Sequence, residues 1–174
     1  MSDASSIWPD AIFDALVALE VRQVSYVPDA GHRRLIERCR AATDMQAVVL
    51  TTEEEGVALA TGAWLGGVRS ALLMQSSGVG NCINMLGLLQ TCRCPLLMLV
   101  TMRGEHGEFN PWQVPMGQAT AAVMQAVGVV VERLDDPAQA GLTVRMMGRM
   151  AYEGQRGVAV LIGQRLIGAK SFGR

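Results

Sequence analysis

The chain has 174 residues, half of them hydrophobic and only 18% charged, with a net charge of −1 from 15 basic and 16 acidic side chains. That length fits about one domain with a sizeable buried core, and the composition excludes a disordered chain. No charge surplus points to nucleic acid, and no apolar run approaches the roughly 20 residues of a membrane helix, so a role on either is excluded.

The elements alternate between two periodicities. Trp8 to Leu19 reads as a helix with Ile12, Phe13, Leu16, Val17 and Leu19 apolar and Pro9 in its first turn. A short strand from Val24 to Val27 ends at Pro28-Asp29, and a helix from His32 to Cys39 follows. Ala47 to Thr51 is an apolar strand, and Glu53 to Leu65 a helix with Val57, Leu59, Ala60 and Trp64 available for burial. Ala71 to Gln75 is a strand that runs into a glycine loop, then a helix from Asn81 to Leu89 and a strand from Leu96 to Val100 introduced by Pro95. A polar loop from Met102 to Pro115 leads to a helix from Gly117 to Val127 and the strand Val129-Val130-Val131. A helix from Pro137 to Tyr152 and a strand from Val158 to Ile162 complete the series.

The strands are continuously apolar, as a parallel sheet covered on both faces requires. The expected fold is therefore an α/β three-layer sandwich: a six-stranded parallel sheet flanked by helices with right-handed crossovers. No linker or repeat divides it, so one domain is expected over residues 1–174. Low charge and 11 methionines suggest apolar surface kept for a subunit interface. Met1-Ser2-Asp3-Ala4-Ser5-Ser6 has no basic start and no long apolar run, so no secretory leader is expected. Cys39, Cys82, Cys92 and Cys94 follow no metal-ligand spacing and read as reduced thiols of a cytoplasmic protein.

Ligands of such sheets bind beyond the carboxyl ends of the strands, and three segments there carry chemistry. Thr51-Thr52-Glu53-Glu54-Glu55-Gly56 begins a helix, where acidic residues favour the helix dipole. That suffices for Glu54 and Glu55. Glu53, at the strand end beside the sheet, is open to a second reading as a desolvated carboxylate suited to proton transfer. Gln75-Ser76-Ser77-Gly78-Val79-Gly80-Asn81 is either a tight turn packing helix on strand or a site of close backbone approach to a ligand. The segment from Arg103 to Gln113, with Glu105, His106, Glu108 and Trp112, is either a solvated loop with a tryptophan anchor or a functional loop.

Taken together, Val27-Pro28-Asp29, Glu53-Glu54-Glu55-Gly56 with Ala60 and Gly62, the Gln75–Asn81 segment, and Arg103-Gly104-Glu105 with Glu108, Pro111, Gln113 and Gly117 resemble, in order and spacing, the pyrimidine-binding domain of thiamine-diphosphate enzymes. The narrower likeness is to the sulfopyruvate and phosphonopyruvate decarboxylases of that family. The resemblance implies the thiamine-diphosphate-binding fold. It implies that Glu53, nine residues before Gly62, is the catalytic carboxyl that hydrogen-bonds the aminopyrimidine and so favours deprotonation of the thiazolium carbon. It places Pro28, Asp29, Thr52, Gln75, Ser77, Gly78, Gly80 and Asn81 about the cofactor, and Arg103, His106, Glu108 and Gln113 toward a small anionic 2-oxo acid, Arg103 being the nearest cation for its headgroup. Only His106 stands where some 2-oxo acid decarboxylases carry two adjacent histidines. The family holds the diphosphate and Mg²⁺ with a Gly-Asp-Gly motif that this sequence lacks. The resemblance thus implies no metal ligands in this chain, a beta subunit that carries the diphosphate and metal site, and contacts between like domains in an oligomer.

Overall fold

The computed structural model describes residues 4–168. Residues 1–3 and 169–174, and with them part of the N-terminal segment read above and the ends of the 1–174 span, lie outside the described residues. In chain order the elements are α1 (Ala4–Ala18), β1 (Val21–Tyr26), α2 (Arg33–Ala41), β2 (Gln46–Val49), α3 (Glu53–Leu65), β3 (Arg69–Gln75), α4 (Ser76–Cys82), α5 (Gly87–Thr91), β4 (Leu96–Thr101), α6 (Val114–Ala126), β5 (Val130–Leu134), α7 (Ala140–Gly154), β6 (Gly157–Ile162) and α8 (Gln164–Ile167). Single 3-10 turns at Ala30–His32, Pro111–Gln113 and Pro137–Gln139 lead into α2, α6 and α7.

The strands form one parallel sheet in the order β2-β1-β3-β4-β6-β5. Alternate residues of the inner strands feed two cores. Leu73, Leu97, Leu99, Val158 and Val160 pack with Ile12, Leu16, Leu35 and Val144 on the face of α1, α2 and α7. Leu72, Met74, Met98, Val100 and Leu161 pack with Val57, Leu86, Leu89 and Met124 on the face of α3 to α6. Burial on both faces is why the Ala71–Met74 stretch of β3, Leu96–Val100 of β4 and all of β6 are continuously apolar, whereas β1 carries Arg22, Gln23 and Ser25. The connections through α2 and α7 step one way along the sheet on the first face, and those through α3 to α6 step the other way on the second. A single crossover hand requires that arrangement.

Three local readings are corrected. Pro9 lies inside α1 rather than in its first turn, and Val17 faces outward, 51% exposed. The stretch read as a glycine loop at residues 76–80 is α4, which starts directly from β3. The helix expected to continue from Asn81 to Leu89 breaks after Cys82 and resumes at Gly87 as α5. Glycine is a poor helix former by about 1 kcal/mol, but α4 carries Gly78 and Gly80 because the Val79 and Cys82 side chains between and after them are buried in the second core.

The sheet order reverses at β1, whose connection goes to one edge while that of β2 returns past it to β3. Such a reversal opens a crevice at the strands' carboxyl ends, here between Asp29 and Gln75. On the far side of β4, the loop that leaves it is pressed onto α6. A Cβ on Gly117 would collide with the backbone carbonyl of Arg103. Gly117→Ala should therefore lower stability by about 1–3 kcal/mol, as overpacking against an immovable backbone does. The thermal unfolding midpoint reads this directly.

Candidate active site

The crevice floor is a chain of hydrogen bonds across three neighbouring strand ends. Asp29 follows β1, and its Oδ1 accepts from Gln75 Nε2 at the end of β3 (3.0 Å). Its Oδ2 accepts from the Thr101 hydroxyl at the end of β4 (2.6 Å). Ser77 Oγ donates to Gln75 Oε1 (2.9 Å), which turns the amide nitrogen toward Asp29. Burial alone would raise the Asp29 carboxyl. The neighbouring His32 and the hydrogen bonds from Thr101, the Gly31 backbone and Gln75 outweigh it and hold the group below the usual carboxylate value. His32 is fully buried, and burial pushes its ring down, against the influence of Asp29 and two carbonyls. Its Nε2 faces Leu99 O (3.0 Å) and Met74 O (3.3 Å), so Nε2 carries the proton and donates, while Nδ1 has no partner among the described residues. Pro28 is exposed at the rim of the same crevice.

The three glutamates at the start of α3 take separate parts. Glu55 turns back, its Oε2 accepting from the backbone of Thr51 (2.8 Å) and Thr52 (3.4 Å), and closes the helix end. Glu54 is exposed. Glu53 is buried, 7% exposed, and points toward α4. Its carboxylate lies where a side chain on Gly78 would be, so that a Cβ there would collide with Oε1 and Cδ. Asn81 Nδ2 donates to Glu53 Oε2 (2.9 Å), and Oε1 accepts no hydrogen bond among the described residues. A buried carboxylate with one oxygen unpaired, over bare glycine backbone at a strand end, fits a ring nitrogen that carries or receives a proton.

The loop after β4 is held by two arginine–carboxylate pairs joined through Gln164. Arg103 Nε and Nη2 donate to the two oxygens of Glu108 at 2.7 Å each. Glu108 also accepts from the backbone of Gly104 and Asn110 and from Gln164 Nε2. Gln164 Oε1 in turn accepts from the backbone of Glu105, and Glu105 is paired with Arg133. Arg103 is thus paired with Glu108, and the pair is neutral as a unit. His106 is exposed. Gln113 Oε1 is buried without a partner among the described residues. His32, Thr101 and Gln164 were not singled out by sequence. His32 lies one turn past the strand-end Asp29, which is a usable signal, whereas nothing local marks Thr101 or Gln164.

A family model, thiamine pyrophosphate enzyme, N-terminal TPP binding domain, matches residues 9–120. The chain belongs to that family. The TPP-domain relatives include the sulfopyruvate decarboxylase subunit alpha of Methanococcus maripaludis, 32% identical over 154 residues, covering 88% of this chain and 92% of the relative. That of Methanothermobacter thermautotrophicus is 35% identical over 78% of this chain and 83% of the relative. A phosphonopyruvate decarboxylase of Streptomyces viridochromogenes is 36% identical over 63% of this chain but only 28% of its own length. Among solved structures, a 2-oxoglutarate:ferredoxin oxidoreductase from Magnetococcus marinus shares the fold with a TM-score of 0.72 at 16% identity, over 92% of this chain and 29% of that one. Among the described residues no helix is long and apolar enough to cross a membrane.

The Arg103 guanidinium beside Glu108 is the chief cause that holds the Glu108 carboxyl down at about 2, against an ordinary 4.5. Stability from a depressed carboxyl is present above its ordinary value and is lost as pH falls through the lowered one. Glu108→Gln should therefore cost about 3 kcal/mol at pH 7, because it leaves a buried guanidinium unpaired. The gap to the unsubstituted chain should close as pH falls from about 4.5 toward about 2. Unfolding midpoints measured across that range check both the size and the sign.

Proposed function

We propose that this chain is the pyrimidine-binding subunit of a thiamine-diphosphate-dependent decarboxylase, with 3-sulfopyruvate converted to sulfoacetaldehyde and carbon dioxide. One observation carries the reading: Glu53 is buried over Gly78 with an unpaired oxygen, at the carboxyl edge of the sheet. The near end-to-end match to two sulfopyruvate decarboxylase alpha subunits supports the substrate. Phosphonopyruvate is the second reading and rests on the Streptomyces relatives.

When bound, thiamine diphosphate supplies a thiazolium carbon that adds to the 2-oxo group and takes up the electrons released as carbon dioxide leaves. Glu53 holds a proton at a ring nitrogen of the aminopyrimidine. Gly78 and Gly80 let the backbone of α4 come close, and Thr52 and Ser77 flank that approach. Asp29 and Gln75, fixed to each other, form the wall below it. The loop with Arg103, Glu108 and Gln113 lies on the substrate side, with Arg103 as the cation for the anionic headgroup. A beta subunit with a Gly-Asp-Gly motif would supply the diphosphate and Mg²⁺ site, a reading supported by the naming of the relatives as subunits alpha; residues 1–174, taken as one domain, contain no such motif. The cofactor is then held between subunits, with like domains packed in the same oligomer. Four free thiols, three of them buried, suit a cytoplasmic setting.

Co-expressed with the gene product that carries Gly-Asp-Gly, the chain should decarboxylate sulfopyruvate in the presence of thiamine diphosphate and Mg²⁺, within a panel that includes phosphonopyruvate and pyruvate. Glu53→Gln should lower kcat by 10²-fold or more, the scale of a lost general acid–base group, with an unchanged unfolding midpoint. Full activity of that variant would remove Glu53 from the mechanism and leave a non-catalytic subunit as the better reading. Gly78→Ala should also lose activity, since the Glu53 carboxylate must leave its seat to admit the methyl group. Its steady-state rate against that of Glu53→Gln tests whether the two act through one carboxyl.

A further inference from the structure

Glu53 meets α4 at two points on one face of that helix. Gly78 provides the space for the carboxylate, and Asn81, three residues later and therefore on the same face, donates to Oε2 at 2.9 Å. Among the described residues this is the sole hydrogen bond to either Glu53 oxygen, and no arginine or lysine pairs with it. The other carboxylates of this edge are held quite differently. Asp29 has three donors, while Glu105 and Glu108 each have an arginine and backbone or amide donors besides. Asn81 itself is exposed, and its side chain contributes nothing to the buried core.

We propose that Asn81 is a positioning residue for Glu53: its amide takes up Oε2 and so leaves Oε1, the oxygen that lies over Gly78, as the one that meets the cofactor's ring nitrogen. The proposal rests on the reading of Glu53 given above. An amide suits the task because it donates without carrying charge. A lysine or arginine at this place would clamp the carboxylate as an ion pair, as Arg103 clamps Glu108. A neutral single donor fixes the direction of the group and leaves its second oxygen open to exchange a proton.

The test uses the chain co-purified with its Gly-Asp-Gly partner and thiamine diphosphate, and compares Asn81→Ala, Asn81→Leu and Glu53→Gln with the unsubstituted complex. The readouts are the hydrogen–deuterium exchange rate of the bound cofactor's thiazolium C–H proton, cofactor affinity by calorimetry, and the unfolding midpoint. Leu has nearly the shape of Asn but neither donates a hydrogen bond nor carries charge, so a role in shaping α4 alone would leave Asn81→Leu unchanged. The proposal expects exchange to slow about tenfold or more in both Asn81 variants, the order expected for a lost hydrogen bond to a charged group, with unfolding midpoints held. Fast exchange in both Asn81 variants, with Glu53→Gln slow, would overturn the positioning role and keep the reading of Glu53. Fast exchange in Glu53→Gln, or no cofactor binding by the unsubstituted complex, would overturn that reading and the proposal with it.

Discussion

The seat of the Glu53 carboxylate over Gly78 is the contact on which the rest of this edge depends. It requires α3 to begin at its first glutamate, α4 to begin without a linker from the end of β3, and residue 78 to have no side chain. Those demands come from different parts of the chain. The first is met because Glu55, not Glu53, turns back to close the helix end. The second is met because β3 lies between β1 and β4 and runs straight into α4 at Ser76, which is buried and accepts from the Arg103 backbone. A glycine in a helix interior destabilises it, and here the loss is offset by burial of Val79 and Cys82 and by admission of a carboxylate that nothing else could place there.

The edge is best understood through how its acids are balanced. Buried acids are normally paired or fully hydrogen-bonded. Asp29, Glu105 and Glu108 obey this rule, and together they tie the ends of β1, β3, β4 and β6 into one rigid rim through Gln75, Thr101 and Gln164. Glu53 stands apart from it, held by a single neutral donor. The hydrogen bonds of this edge are thus concentrated on Asp29, Glu105 and Glu108, and Glu53 keeps one oxygen unpaired among the described residues. The same contrast explains why Arg103, the natural candidate for an anion, is found bound to Glu108: the loop needs the pair to hold its shape before it can line anything.

Much of this was legible in sequence, for physical reasons. Strands buried on both faces carry continuous apolar runs, so β3, β4 and β6 declare themselves. The edge strands are less clear, because Val49 of β2 stands 60% exposed although it reads as core. Glu53 could be located because strand ends and helix starts are both marked locally, and the family likeness then chose among three adjacent glutamates. The start of α4 was not legible, since Gly78 and Gly80 carry a strong local signal for a loop and only tertiary packing overrides it. Nor were Thr101 and Gln164, whose partners Asp29 and Glu105 lie 72 and 59 residues away in sequence. No window along the chain contains both members of such a pair.

The methionines divide between core and surface. Their number suggested adaptable surface for a partner, yet Met45, Met74, Met98, Met102, Met124 and Met147 are buried. They fill the gaps between helices and a twisted sheet, a task an unbranched, flexible side chain performs well. Met146 and Met150 are exposed on α7, and further apolar surface lies elsewhere. Part of it is Trp112, 84% exposed at the end of the loop that Arg103 and Glu108 brace, and Leu65, 81% exposed at the end of the helix that begins with Glu53. Leu65 stands at the far end of α3 from Glu53, so of these two only Trp112 belongs to the loop beside the strands' carboxyl ends. A domain stabilised for itself alone would gain by replacing them with polar residues. An exposed tryptophan on that loop is the kind of side chain that protein interfaces bury.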